Sequence, residues 1–237
     1  MFGWRGRLGA VVPSSNTTVE GEFRRAVSDG ASVHSARMPL EAVTVEELDA
    51  MADDAVECAE RLSHAGVDVV AYACTTGSLL HGPGFDSDLE ATLGEAANVP
   101  AVATALSVKR ALRVLDAERI AVVTPYTDEL NDREASYLDD AGFDVVEMDG
   151  RGIEANADIG SLRPADAYRQ VRGTVSKAGA VDAAFVSCTN YRTLPAIEPL
   201  EADFDVPVVT SNQATLWDAL RQLGVSANVP GRLGDRE

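Results

Sequence analysis

Residues Ser63–Thr76, SHAGVDVVAYACTT, return further along the chain as Ser176–Asn190, SKAGAVDAAFVSCTN. Each copy leaves a helix-like segment through a glycine, runs through a short apolar stretch and stops on Cys-Thr, at Cys74 and again at Cys188. The likeness extends outward in both directions with an offset near 110 residues. Arg7–Pro13, RLGAVVP, matches Arg119–Pro125, RIAVVTP, and Asn98–Leu112, NVPAVATALSVKRAL, resembles Asp205–Leu220, DVPVVTSNQATLWDAL.

Strand-like runs read at Leu8–Val12, Ser32–Ala36, Val67–Ala73, Ala101–Ala103, Ile120–Val123, Asp144–Met148, Ala183–Ser187 and Val206–Thr210. Amphipathic segments separate them, the alternation of an α/β protein with a mostly parallel sheet. In Thr44–Gly66, Thr44 with Glu47 predicts a capping box and Gly66 a helix stop. The expected architecture is therefore two Rossmann-like parallel-sheet lobes related by a pseudo-twofold axis. Residues 1–112 form the first lobe, residues 113–225 the second, and residues 226–237 a flexible tail. The closing C-terminal helix has the option of packing on the first lobe.

Ligands of open α/β sheets bind beyond the carboxyl ends of the strands, and pockets favour domain interfaces. Cys74 and Cys188 stand at such ends at equivalent points, so the pseudo-twofold places two thiols across one cleft. A thiol of ordinary pKa is mostly protonated at neutral pH and needs help to ionise. No histidine is near either cysteine in sequence, so the expected help is backbone N–H groups at a helix start after each Cys-Thr pair. Thr75, Thr76, Thr189 and Asn190 add neutral donors suited to a small carboxylate. Opposed thiols allow one to attack or take a proton while the other delivers a proton from the opposite face. Cys58, inside a helix pattern and without a counterpart in the other half, reads as a buried inert thiol. His81 reads as a loop residue, and Trp217 as helix core.

Composition narrows the function classes. The chain has 237 residues, with 38 Asp and Glu against 20 Lys and Arg, a formal net charge of -18, and only two lysines, Lys109 and Lys177. Such a surface repels nucleic acid and anionic membrane and resembles proteins of salt-loving organisms. No zinc-type ligand spacing, no site for pyridoxal phosphate, no membrane span and no signal peptide are read. The expectation is a cytoplasmic protein without cofactor or metal.

The chain resembles the Asp/Glu/hydantoin racemase superfamily, and most closely its maleate cis-trans isomerase and arylmalonate decarboxylase branch. The carriers are PSSNTTVE at Pro13–Glu20, ACTTGS around Cys74, VVTPYTDELN around Tyr126, GIEANADIG at Gly152–Gly160 and SCTNYRT around Cys188. The resemblance implies an aspartate/glutamate racemase-like fold, a cofactor-free site, Cys74 as nucleophile, Cys188 as proton donor, and Asn16, Tyr126 and Asn156 as holders of substrate carboxylates. It implies a small dicarboxylate substrate, maleate to fumarate by preference, and a homodimer. Asn16 also reads as a helix cap, and Tyr126 and Asn156 as turn residues. Racemases of the superfamily place histidine after the second Cys-Thr, where this chain has Asn190. Arylmalonate decarboxylases carry only the second cysteine, so Cys74 argues against simple decarboxylation. A racemase, a decarboxylase and a non-catalytic small-carboxylate binding module remain the alternatives.

Overall fold

The computed structural model describes residues 3–225 and 228–236. Its first half runs β1 (Gly6–Pro13), α1 (Val19–Ala26), β2 (Ala31–Met38), α2 (Val45–Ser63), β3 (Val69–Tyr72), α3 (Thr75–Leu79), α4 (Phe85–Ala97), β4 (Ala101–Ala103) and α5 (Thr104–Val114). The second runs β5 (Arg119–Val123), α6 (Asp128–Asp140), β6 (Asp144–Asp149), α7 (Asn156–Gly160), α8 (Pro164–Ala178), β7 (Ala183–Val186), α9 (Ile197–Phe204), β8 (Val208–Thr210) and α10 (Ser211–Gln222). A strand stands at each of the eight positions read from the sequence.

The strands form two parallel four-stranded sheets, ordered β2-β1-β3-β4 and β6-β5-β7-β8. The duplication is visible in the register: Leu8 pairs with Val33 and Val69, while its counterpart Ile120 pairs with Val145 and Ala183. Alternation along β1 sends Leu8, Ala10 and Val12 into one apolar core and Val11 into another. Covering both faces of a parallel sheet is what makes its strands read as continuous apolar runs. Each core draws residues from both halves, so the lobes share their interior.

Equivalent helices meet where a twofold requires. Helix α10 packs on α5, with Asp218 accepting from Arg110 at 2.6 Å and from Ser107 at 2.9 Å, and Thr215 bonded to Thr104 at 2.9 Å. Two expectations need correction. Thr44 Oγ1 does accept from the Glu47 amide, but the Glu47 carboxylate turns to the Glu41 and Ala42 amides at 2.8 and 2.9 Å, so the reciprocal half of the box is not made. The tail is not free over residues 228–236: Leu233 is fully buried, the Trp217 indole donates to the Arg236 carbonyl, and the Glu201 carboxylate accepts from the Arg232 amide. Apolar Val229 and Leu233 supply the burial that holds it. Residues 226, 227 and 237 of that segment lie outside the described residues.

Candidate active site

In each sheet the chain leaves its first strand in one direction and its third in the other, which creates a crevice at the carboxyl ends of that central pair. The residues following those strand ends converge. Asn16 follows β1, Cys74 follows β3, Tyr126 follows β5 and Cys188 follows β7. Together with Pro13, Leu40, Val43, Thr75, Thr76, Asn156 and Thr189 they line one small cavity of about 10 Å³. Of the residues read from the sequence as site candidates, Asn190 alone is absent from the lining.

Both thiols are buried, and the protein treats them differently. Burial pushes the Cys74 thiol up to about 11, opposed by hydrogen bonds from the Gly77 amide and the Thr76 hydroxyl. Gly77 permits this approach because a Cβ there would stand 2.5 Å from the Tyr72 hydroxyl and 3.1 Å from Cys74 Sγ. Burial pushes Cys188 further, to about 12, against hydrogen bonds from Tyr126 and the Asn190 amide, while charge on Cys74 raises it again. Two thiols coupled in this way do not ionise together: loss of the proton from one holds the other protonated. Cys58, buried in α2, lies away from the cavity, and His81 is half exposed beside Asp49.

The helix start predicted after each Cys-Thr is found only once. Helix α3 begins at Thr75, but after Cys188 the chain turns and passes through a single 3-10 turn at Leu194–Ala196. What replaces the helix is strain at the cysteine itself, since Cys188 has φ +89°. Such a conformation in a residue other than glycine costs about 1–3 kcal/mol and persists only where the surroundings impose it. Here it brings the Asn190 amide within 3.4 Å of Cys188 Sγ.

The carboxamides divide into groups that face the cavity and groups that hold it together. Asn16 does both: its oxygen caps the entry to α1 by accepting from the Thr18 and Val19 amides at 2.9 and 3.0 Å, while its nitrogen donates to Thr189 Oγ1 at 3.2 Å. The capping reading and the site reading are thus compatible. Asn156 donates to Ser15 Oγ at 2.8 Å. Asn190 is not the free donor expected from the sequence. Its oxygen accepts from the Thr17 amide at 2.9 Å and its nitrogen donates to the Asn156 carbonyl at 2.7 Å, which uses the side chain to tie the loop after β1 to the start of α7. Thr189 and Thr75 likewise spend their hydroxyls across the lobes, on the Ala73 carbonyl and on Ser211.

The description of the arylmalonate decarboxylase family matches residues 8–233. The chain belongs to this family. It is 35% identical to a maleate isomerase of Pseudomonas putida over 95% of this chain and 94% of that one, and 32% identical to an arylmalonate decarboxylase of Bordetella bronchiseptica over 96% of both. Among solved structures, a maleate isomerase of P. putida S16 with maleate superposes with a TM-score of 0.91, at 30% identity and 98% coverage of both chains. A maleate cis-trans isomerase of Nocardia farcinica with a covalently bound succinylcysteine intermediate superposes with a TM-score of 0.90, at 30% identity, covering 97% and 98%. The branch read from the motifs, within the racemase-like superfamily, and the two-lobed fold it implies both hold.

Two features of this family member were not read from the sequence. The first is the closure of the cavity: Ala42 and Ala155 form an antiparallel bridge, with the Val43 amide on the Glu154 carbonyl at 2.8 Å and the Asn156 amide on the Glu41 carbonyl at 3.0 Å. One loop comes from each lobe, and Leu40 and Val43 ride on the first. The position of Leu40–Val43 just after β2 was the available signal, since loops at carboxyl ends build such sites.

The second is Glu134 on α6, almost completely buried, with Oε1 bonded to Ser187 Oγ at 2.6 Å and Oε2 without a partner among the described residues. Burial raises it from 4.5 to about 7. A raised acid stabilises the fold while protonated, so that contribution is complete below pH 4.5 and is lost as pH rises through about 7. The difference is of order 3 kcal/mol. Glu134→Gln is expected to remove this loss: the wild-type urea midpoint should fall relative to the variant between pH 5 and pH 8, and parallel midpoints would contradict it.

Proposed function

We propose that this chain is a cofactor-independent isomerase that converts maleate to fumarate with Cys74 and Cys188. The observation that carries the proposal is the convergence of two thiols on one small cavity. Cys74 adds as thiolate to one alkene carbon of maleate, forming a C–S bond as the π bond breaks. Cys188 gives its proton to the neighbouring carbon, so the adduct is a succinyl thioether and Cys188 is left as thiolate. Rotation about the carbon–carbon bond, now single, brings the two carboxylates anti. Cys188 then removes a proton from the same carbon, the C–S bond breaks, and fumarate leaves with both cysteines restored. The succinylcysteine held by the Nocardia relative is the chemical species this sequence of steps requires.

In this reading the Asn16 and Asn156 carboxamides and the Tyr126 hydroxyl bind the carboxylates. Thr75 and Thr76 contribute the unpartnered amides of a helix first turn, and Thr189 and Asn190 position the others. Cys74 also separates the isomerase from the decarboxylase reading, because a decarboxylation needs one proton donor and no nucleophile. A homodimer, a cytoplasmic setting and a surface adapted to salt belong to the proposal as expectations from family likeness and charge; light scattering and urea midpoints in molar KCl test the first and last.

The function is tested by incubating the protein separately with maleate, with amino acids and with an arylmalonate in deuterated water and following products by NMR. Fumarate supports the proposal. Exchange of an α-hydrogen in an amino acid would mark a racemase, loss of carbon dioxide from an arylmalonate a decarboxylase, and binding without turnover a carboxylate sensor.

A further inference from the structure

Helix α6 presents an unusual inward face. Leu130, Tyr137 and Leu138 are core residues, yet between them the helix buries two polar side chains three residues apart, which places both on one side. Each grips the end of a strand that carries a site residue. Asn131 accepts from the Thr124 hydroxyl at 2.5 Å and donates to the Tyr126 carbonyl at 3.4 Å, fixing the turn on which Tyr126 stands. Glu134 is bonded to Ser187, the residue before Cys188, at the end of β7. A glutamate buried with one oxygen unpartnered is costly, and such a group in a native structure calls for an explanation. The narrow void it faces is also lined by Thr75, which borders the substrate cavity from the other side.

We propose that Glu134 is a positioning residue that holds the end of β7 through Ser187 and keeps Cys188 as the thiol that donates, leaving Cys74 to act as nucleophile. The proposal rests on the isomerase reading for the meaning of that division of labour. Glu134 makes no ion pair among the described residues. The titratable groups its charge acts on are Tyr126 and Tyr137, both of which it raises. Beyond Tyr137 lie the Lys109–Asp86 and Arg110–Glu90 pairs of α5 and α4, each cation already matched by a carboxylate. The remaining wall, Leu79, Ala105, Val108, Leu138 and Phe185, carries no charge. The Tyr126 phenol favours the Cys188 thiolate, whereas an anion at Glu134, held one residue away on Ser187, disfavours a second anion at that thiol.

The test needs no substrate. Methyl methanethiosulfonate is applied to wild type and to Glu134→Gln at pH 5.5 and pH 9, and modification of each cysteine is followed by peptide mass spectrometry. At pH 9 the variant should modify Cys188 roughly three- to tenfold faster than wild type, with Cys74 less changed. At pH 5.5, with Glu134 protonated, the two proteins should converge. Equal rates at pH 9, an acceleration equal at both pH values, or one confined to Cys74 would overturn the proposal. If the variant does not fold, wild type alone decides: the ratio of Cys188 to Cys74 modification should fall as pH rises through about 7, and a constant ratio overturns the proposal. Because no turnover is read, failure here leaves the isomerase assignment standing, and failure of that assignment leaves this result readable.

Discussion

Replacing Cys74 by alanine is expected to lower maleate turnover by roughly 10⁴-fold or more, and Cys188→Ala by roughly 10²- to 10⁴-fold. The first loss is larger because the C–S bond to Cys74 turns a double bond into one that rotates, whereas water can replace, poorly, a proton donor. Neither change should unfold the protein. Both side chains are small and border a cavity, and Cys188→Ala keeps the positive φ without adding a larger side chain. KM for maleate should change little beside kcat, since the proposed carboxylate binders are Asn16, Asn156 and Tyr126. Steady-state fumarate formation at 240 nm, with a urea curve for each variant, checks both halves. A variant of Cys74 with near-normal turnover would sink the two-thiol mechanism.

Trp217→Ala is expected to cost about 3–5 kcal/mol, a large part of the stability of a typical domain. Trp217 is the largest fully buried side chain and sits on α10, whose inner face packs on α5 across the lobes. Its indole N–H also anchors the Arg236 carbonyl at 2.9 Å, and Arg221 stacks 4.5 Å over its ring. Removal leaves a cavity between the lobes and frees the closing segment. The loss should reach the site, because α10 also carries Ser211, bonded to Thr75, and Asn212, bonded to Glu22 and to the Thr189 carbonyl. Equilibrium urea unfolding measures the first effect and kcat of the folded fraction the second. Trp217→Phe should recover most of the packing while losing the bond to Arg236.

The sequence carries the fold unusually fully because the chain is duplicated. A parallel strand buried on both faces gives only a short apolar run, which periodicity alone does not separate from a helix; the second copy, with its glycine and Cys-Thr in the same places, settles the matter. The same duplication located Cys74 and Cys188 together. What it hid was the asymmetry. The repeat suggests that both cysteines open helices, but Cys188 takes φ +89° and precedes a turn. Asn190 reads as a donor matching Thr76, yet its amide is consumed between Thr17 and Asn156, residues distant in sequence that only the closed fold brings together. Glu22 and Glu134 looked like two more acids on a strongly acidic chain. One is buried under the loop after Cys188, accepting from the Thr193 and Leu194 amides; the other is buried behind Ser187. Helix periodicity places a residue on the inner face, but whether a carboxylate there meets a partner depends on elements distant in sequence.

The account's central claim is that Cys74 forms a bond to carbon while Cys188 supplies the proton. The most direct measurement is the mass of the Cys74 peptide after Cys188→Ser is incubated with maleate and quenched in acid. Slowing the second proton transfer should let the adduct accumulate, and the peptide should gain the mass of one maleic acid on Cys74. An unmodified Cys74 in a variant that still binds maleate, or the same mass on another residue, would contradict the account.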